Sequence, residues 1–255
     1  MINAKTLEKI VTFRATYGLE VVKEIIMRKI FYQFYIISKK DRSNFYKERI
    51  YKSIEVKQLF VIEALAGREY WNNFKKLTLN KCVWYGRKPH NNDPINKLLD
   101  IGYHHLVEVI KKIFDDIDLP YELGLLHKAQ NQNSKPLIYD FMEWLRPITV
   151  DRVLFITIKK ERKILEKISQ KDIAIFVNKI KQQLDRTFYH KKLGYCITLK
   201  YWIRLNALGL LSQINHNEFQ KFYFPSLRHE SRCKKKNPNT VIASESESDE
   251  LGTKD

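Results

Sequence analysis

One histidine and two carboxylates stand close together in the middle of the chain and could carry metal chemistry. The stretch LPYELGLLHKAQNQNSKPLIYDFMEWLRP, residues 119–147, places His127 before a polar loop and follows it with Asp140 and Glu143. On a helix, residues three apart share one face. An imidazole and carboxylates without thiolates favour manganese or magnesium over a structural zinc. The spacing therefore predicts a site for a hard divalent cation.

A third carboxylate, Glu63, lies beside a predicted buried stripe. Leu59, Ile62, Ala66 and Tyr70 recur at helical spacing, and Glu63 follows Ile62 directly. Removing water from a carboxylate beside an apolar stripe costs free energy unless the carboxylate is paired or binds a metal. On spacing alone, pairing with Lys57 or Arg68 or simple exposure to solvent is the more ordinary interpretation.

Arg146 follows Glu143 by three residues and so lies on the same predicted helical face. It could neutralise a phosphate or pair with Glu143 or Glu122, and the sequence leaves both roles open. Pro147 is predicted to end this helix and to begin the next at its first turn.

The elements that would position these residues are helices. Gly and Pro number only 8 and 7 in 255 residues, and long segments contain neither. Amphipathic periodicity predicts helices from Leu19, over residues 41–57 and over residues 56–77. After a loop ending near residue 93, Asp93 and Pro94 predict an N-cap and first turn. The predicted fold class is all-α.

The formal net charge is +17 and the pI about 9.6. Such an excess favours a polyanionic partner, nucleic acid first and an acidic membrane surface second, although a merely Lys-rich composition is the alternative. The segments 158–172 and 175–192 are predicted as basic amphipathic helices suited to neutralising DNA phosphates, or as ordinary solvated faces.

Cys82, Cys196 and Cys233 are far apart and odd in number. This usage favours a reducing compartment and predicts no disulfide framework and no zinc knuckle. No segment has the character of a signal peptide or the length of a membrane span, so a soluble, cytoplasmic protein is expected.

The chain is predicted to divide into a helical domain, residues 1–227, and a tail, residues 228–255. The tail begins with the basic run RHESRCKKK and continues with the acidic SESESDE. Because it has few apolar residues, it is predicted to be disordered.

Several motifs in order resemble one known family. They are VIEALAGREYW, PINKLLDIGYHHL, LPYELGLLH and KPLIYDFMEWLRP, preceded by KEIIMRKIFYQ and followed by LGYCITLKYWIRLNALGLLSQI and FYFP. Together they resemble the catalytic domain of the CRISPR-associated adaptation endonuclease and integrase, which inserts new spacers into CRISPR arrays. The resemblance spans roughly residues 10–225.

The resemblance implies an all-helical catalytic domain that holds Mg²⁺ or Mn²⁺ through Glu63, His127 and Glu143. Asp140 matches a further acidic position and is expected to support the site or a second metal. Implied partners are double-stranded DNA, as prespacer and CRISPR repeat, and the small ferredoxin-like adaptation subunit.

The family's homodimer forms through an N-terminal β-rich domain, whereas this chain begins almost directly with the helical part. A short lineage, a truncated product or a degenerate copy would each explain this, and the dimer is therefore uncertain. Three residues also depart from the family pattern: Tyr32 and Asp100 replace usual asparagines, and Ile117 replaces a usual glycine.

The predicted function is metal-dependent DNA cleavage and strand transfer in CRISPR adaptation. A related integrase of a mobile element, or a degenerate copy that only binds DNA, are the alternatives.

Overall fold

The computed structural model describes residues 4–78, 84–128, 131, 134–160, 168–227 and 233, and within them the fold is helical. The helices are α1 (Ala4–Ile36), α2 (Lys40–Lys52), α3 (Val56–Thr78), α4 (Pro94–Asp115), α5 (Pro136–Met142), α6 (Arg152–Lys160), α7 (Gln170–Leu184) and α8 (Leu199–His216), with a π-helical segment at Pro147–Asp151 and strands β1 (Thr187–His190) and β2 (Tyr195–Thr198). The all-α prediction is confirmed apart from this short hairpin. None of the described helices is long and apolar enough to cross a membrane.

The first helix, α1, organises the core. Its apolar stripe is buried at Val22, Ile26, Ile30 and Phe34, as the periodicity predicts. The helix starts well before the predicted Leu19 and packs against α2, α3, α8 and the π-helical segment. Lys29 therefore lies on a helix against which several other elements pack.

Helix α3 lies against α1 through the predicted stripe. Leu59, Ile62, Ala66 and Tyr70 are all buried. Glu63 follows Ile62 at the edge of this stripe and is only partly buried. The stripe thus fixes the direction in which the Glu63 carboxylate points.

Helix α4 begins as predicted. The Asp93 carboxylate accepts a hydrogen bond from the Asn96 backbone N–H at 2.9 Å, and Pro94 occupies the first turn. Farther along, a Cβ on Gly102 would come within 2.5 Å of Val150 Cγ1. Glycine at this position lets α4 approach the π-helical segment closely.

Pro147 begins the π-helical segment at its first turn, and the helical path continues through it. Helix α5 runs through a turn at residues 143–144 into the π-helical segment and then into α6. Proline cannot donate the usual backbone hydrogen bond, and the chain accommodates it with a wider helical turn.

The π-helical segment ends at Asp151, a buried carboxylate that ties three elements together. Its oxygens accept hydrogen bonds from Tyr70 of α3 at 3.2 Å and Tyr103 of α4 at 2.5 Å. Burial raises the pKa of Asp151 to about 6, although the two tyrosine hydrogen bonds oppose the shift.

The segment after α7 corrects the predicted basic helix, which was expected to continue to residue 192. The helix ends at Leu184, and Thr187–His190 pairs antiparallel with Tyr195–Thr198. Exposure alternates along β1, where Phe188 and His190 are buried, and this is the period of a strand. Gly194 closes the turn with a φ of +76°.

The cysteines depart from prediction as well. Cys196 on β2 and Cys233 form a disulfide, and both are partly buried, so the prediction that the cysteines form no disulfide is wrong for this pair. Cys82 and the predicted tail, Cys233 excepted, lie outside the described residues, as do residues 161–167 of the segment 158–172.

The three residues that depart from the family pattern have structural roles here. Tyr32 is buried and donates to the Pro225 carbonyl at 2.6 Å, tying α1 to the segment that follows α8. Asp100 anchors the loop before α4 by accepting from Arg87 at 2.6 Å. Beside Ile117, Asp118 adopts a φ of +54° and makes the turn that a glycine would otherwise make.

Candidate active site

Two glutamates from separate elements meet at one lysine. Glu63 of α3 and Glu143, which follows α5, both contact the Lys29 ammonium of α1; the Glu143 Oε2 to Lys29 Nζ distance is 2.5 Å. The side chain of Lys29 is 11% exposed and that of Glu143 2%, so this ion pairing is shielded from water. Of the partners considered for Glu63 from the sequence, neither Lys57 nor Arg68 is the one it uses.

Arg146 supplies a second cation. Its Nη1 lies 2.9 Å from Glu143 Oε1, which is one of the alternatives left open by the sequence. The guanidinium also lies over the Tyr103 ring, 4.9 Å from its centroid. Burial alone would raise the pKa of Glu143, but Arg146 and Lys29 outweigh it and lower that pKa. Glu143 is therefore held as a carboxylate.

Lys29 is held in its charged form by the same contacts. Burial alone would lower the pKa of Lys29, but Glu143 and Glu63 raise it overall. The site thus contains one buried and one partly buried carboxylate, Glu143 and Glu63, with two cations against them.

Asp140 is buried and organises the loop that carries the histidine. Its Oδ2 accepts the backbone N–H of Leu125 at 2.6 Å and of Leu126 at 2.9 Å, and its Oδ1 accepts that of His127 at 2.9 Å. Oδ1 also lies 2.5 Å from His127 Nδ1. One carboxylate therefore fixes both the loop backbone and the imidazole ring.

His127 is oriented so that Nε2 is its available ring nitrogen. The hydrogen bond with Asp140 is the main cause of its raised pKa; burial opposes the shift, and Glu143 and Glu63 add to it. Both glutamates are close enough to act electrostatically on the ring. The two predicted glutamate ligands therefore lie within electrostatic range of the predicted histidine ligand.

Gly124 permits this loop to close onto Asp140. A Cβ at this position would lie 2.3 Å from the His127 carbonyl oxygen and 2.8 Å from Asp140 Oδ2. Both distances are well below any normal contact, so a side chain here would displace the histidine loop.

A cavity of about 800 Å³ opens beside these residues. Glu63 lines it, and four cationic side chains from different parts of the chain surround it: Lys29, Arg87, Lys135 and Arg146. Trp71, Tyr103 and Tyr139 add aromatic surface to its wall. The combination of positive charge and rings suits a nucleic-acid strand.

Three other histidines near the cavity, His90, His104 and His105, are not part of the Asp140–His127 arrangement. His90 lies on the cavity wall, where its backbone N–H donates to Asp100 Oδ2 at 2.8 Å. His104 is exposed at the cavity, and His105 is partly buried, which lowers its pKa.

The donor set fits a hard divalent cation. Asp140 holds His127 by Nδ1, the arrangement in which a histidine presents Nε2 to a metal. Glu143 Oε2 is buried, and its close contact in the described structure is the Lys29 ammonium at 2.5 Å. In the present arrangement no three His, Cys, Asp or Glu of the described chain stand close enough to hold an ion. Lys29 takes the place between the two glutamates.

Lys29 is the residue of this site that spacing does not reveal. It lies off the α1 stripe, where a lysine ordinarily faces solvent. The available signal is the resemblance of KEIIMRKIFYQ to the family's lysine-and-glutamine helix.

A family model described as "CRISPR associated protein Cas1" matches residues 7–186, which is more than half of the chain. The chain belongs to the Cas1 family. The CRISPR-associated endonuclease Cas1 of Thermotoga maritima is 26% identical over 173 residues, 63% of this chain and 53% of that protein. The chain therefore spans about half the length of the curated relatives of this kind that it matches.

Solved structures share the fold. A casposase bound to an integration product superposes with a TM-score of 0.74 at 17% identity, covering 87% of this chain and 71% of the casposase. A chain of a Cas6-RT-Cas1–Cas2 complex gives a TM-score of 0.69 at 17% identity, covering 83% of this chain and 25% of that one. At these identities the likeness establishes the helical Cas1 fold.

Proposed function

We propose that this chain is a metal-dependent DNA endonuclease and integrase of CRISPR adaptation, which inserts new spacer DNA into a CRISPR array by phosphodiester transfer. The observation that carries the proposal is the meeting of Glu63 and Glu143 at Lys29 beside a cationic cavity, with His127 within electrostatic range of both glutamates. Membership of the Cas1 family supports the reaction class.

In this proposal Glu63, His127 and Glu143 hold Mg²⁺ or Mn²⁺. Such an ion, when bound, polarises the scissile phosphodiester and orients the attacking or leaving oxygen. Asp140 keeps the ring proton of His127 on Nδ1, so that Nε2 is free to bind. Asp140 is thus a positioning residue, while the other three touch the reacting group through the cation.

The cationic residues of the cavity bind and orient DNA. Arg87, Lys135 and Arg146 line it from different elements, so they can contact successive phosphates of a strand entering from solvent. For integration the nucleophile is a DNA 3′-hydroxyl, and for cleavage it is water. Prespacer and repeat duplexes are the proposed DNA ligands.

The proposed protein partner is the small ferredoxin-like adaptation subunit, in a cytoplasmic assembly. A Cas1–Cas2 assembly among the similar structures supports this partner. A homodimer is proposed with it.

The test is a strand-transfer and cleavage assay on branched DNA with Mn²⁺. We expect wild-type activity, and loss of it in each of Glu63→Ala, His127→Ala and Glu143→Ala. Glu108→Ala is the matched control, because Glu108 is an exposed glutamate that pairs only with Lys135 in the described structure. If all three site variants keep wild-type activity, the assignment of the site is wrong.

A second candidate is an integrase of a mobile element, favoured by the likeness to a casposase bound to its integration product. The two candidates share the site and differ in DNA. Preference for a CRISPR repeat duplex over terminal inverted repeats supports the first, and the reverse supports the second. Binding of DNA without any metal-dependent product would instead identify a binding-only copy.

A further inference from the structure

Lys29 forms ion pairs with two glutamates at once, which is unusual for a lysine. Its ammonium contacts carboxylates from two other elements, Glu63 on one side and Glu143 on the other, with only 11% of its side chain exposed. Two carboxylates this close repel each other in a poorly hydrated site unless a cation stands between them. The Lys29 ammonium therefore reduces the repulsion between these two carboxylates, as a divalent ion bound to both would.

The second cation of the site is fixed in a different way. Arg146 is fastened by its contact with Glu143 Oε1 and by the Tyr103 ring, and its guanidinium is planar and rigid. Lys29 has neither a ring contact nor a planar group among the described contacts. Its ammonium is a point charge on a flexible four-carbon stem. Lys29 is thus the exchangeable cation and Arg146 the permanent one.

The structure also offers a place for the ammonium to go. Lys29 and Glu63 both line the cavity of about 800 Å³, together with Arg87 and Lys135. A change of side-chain rotamer can carry the Lys29 nitrogen away from the glutamates and into this space without any movement of α1.

We propose that Lys29 is the built-in counter-cation of the metal-free site, and that a divalent metal displaces its ammonium into the adjoining cavity. This inference rests on the metal site of the proposed function. It assigns Lys29 a positioning role: it keeps Glu63 and Glu143 together before metal arrives, and it competes with the metal for them.

The first test measures Mn²⁺ affinity by titration calorimetry in the full chain without DNA. Lys29→Met should bind Mn²⁺ about tenfold or more tightly than wild type, because wild type must first break two buried ion contacts. The metal-free variant should melt at a lower temperature than wild type and gain more from saturating Mn²⁺. Lys111→Met, which removes a surface lysine that pairs with Asp115 outside the cavity, should leave the affinity unchanged.

A second measurement needs no variant and decides the question if Lys29→Met does not fold. Reductive methylation followed by peptide mass spectrometry reports the accessibility of each lysine in wild type. Lys29 should be protected in the metal-free protein and several-fold more reactive at saturating Mn²⁺, with Lys135 as the internal reference.

The outcomes separate this inference from the metal site itself. If wild type and Lys29→Met bind Mn²⁺ equally, or the variant binds it more weakly, the counter-cation role is wrong and the metal site stands. Continued protection of Lys29 at saturating Mn²⁺ overturns it in the same way. If neither protein binds Mn²⁺, the metal site and the role of Lys29 fail together.

Discussion

Replacing Asp140 with asparagine removes the charge that holds the histidine loop while nearly keeping its shape. Oδ2 accepts two backbone N–H groups, from Leu125 and Leu126, and Oδ1 accepts that of His127 and contacts Nδ1 of its ring. The amide can replace only one of these oxygens with an NH₂ group. Placed at Oδ2, the NH₂ faces two donors; placed at Oδ1, it faces one donor and forces the ring proton onto Nε2.

Placement at Oδ2 costs the two hydrogen bonds from Leu125 and Leu126, and placement at Oδ1 costs the one from the His127 backbone. Hydrogen bonds to a carboxylate contribute about 1.5–3 kcal/mol each, so the free energy of unfolding falls by at least about 3 kcal/mol in the first case and about 1.5 kcal/mol in the second. In a chain of this length these losses correspond to falls in Tm of roughly 6–12 °C and 3–6 °C. Placement at Oδ1 also puts the ring proton on Nε2, so Mn²⁺ affinity should then fall about 10–100-fold.

The assays are thermal unfolding and Mn²⁺ titration of Asp140→Asn against wild type. Asp115→Asn is the control, because Asp115 is a half-exposed surface carboxylate in an ion pair with Lys111. If Asp140→Asn melts within about 2 °C of wild type and binds Mn²⁺ within about twofold, Asp140 does not organise the site.

Three further predictions follow from buried groups and close contacts. Burial raises the pKa of Asp151 to about 6, so the protonated carboxyl group is favoured in the folded protein. Its contribution to stability is fully present below about pH 4 and is lost as pH rises through 6. The free energy of unfolding of Asp151→Asn, measured with denaturant, should therefore rise by on the order of 3 kcal/mol relative to that of wild type between pH 4 and pH 7. A difference between the two proteins that stays constant with pH would contradict this. Gly124→Ala should lower both Tm and Mn²⁺ affinity, because its Cβ would collide with the His127 carbonyl; a variant equal to wild type in both would show that the loop can shift freely. Thiol titration of the unreduced, denatured chain should find one free thiol of three, because Cys196 and Cys233 are bonded, whereas three free thiols would contradict the disulfide.

The helices that carry the site were predictable from periodicity and capping. The stripe from Leu59 to Tyr70 and the Asp93 cap follow from local rules of side-chain spacing and backbone hydrogen bonding. The hairpin was not predictable, because Thr187–His190 extends a basic amphipathic pattern that could equally continue α7. Alternation over only four residues is too short to distinguish a strand from a continuation of the preceding helix.

The site itself was only partly predictable. Asp140 and Glu143 are near His127 in sequence, so their proximity follows from one turn of helix. Glu63 and Lys29 reach the site only through the packing of α1 on α3, which local spacing does not encode. The resemblance to a family supplied Glu63, while the contact of Lys29 with both glutamates emerged from the fold.

The same limit applies to long-range pairing elsewhere. Cys196 and Cys233 are 37 residues apart, and nothing in their spacing indicates a bond. Asp151 likewise meets Tyr70 and Tyr103 because a π-helical turn re-aims its side chain, and helical periodicity alone gives no sign of that turn.

The central claim is that Glu63, His127 and Glu143 form a metal site for DNA strand transfer. The most direct measurement is the yield of branched product when a DNA 3′-hydroxyl end is joined to a CRISPR repeat duplex with Mn²⁺, for wild type and Glu143→Gln. We predict product with wild type that disappears when Mn²⁺ is chelated and is reduced to background by Glu143→Gln. Equal product from wild type and variant, or product that survives chelation, would contradict the claim.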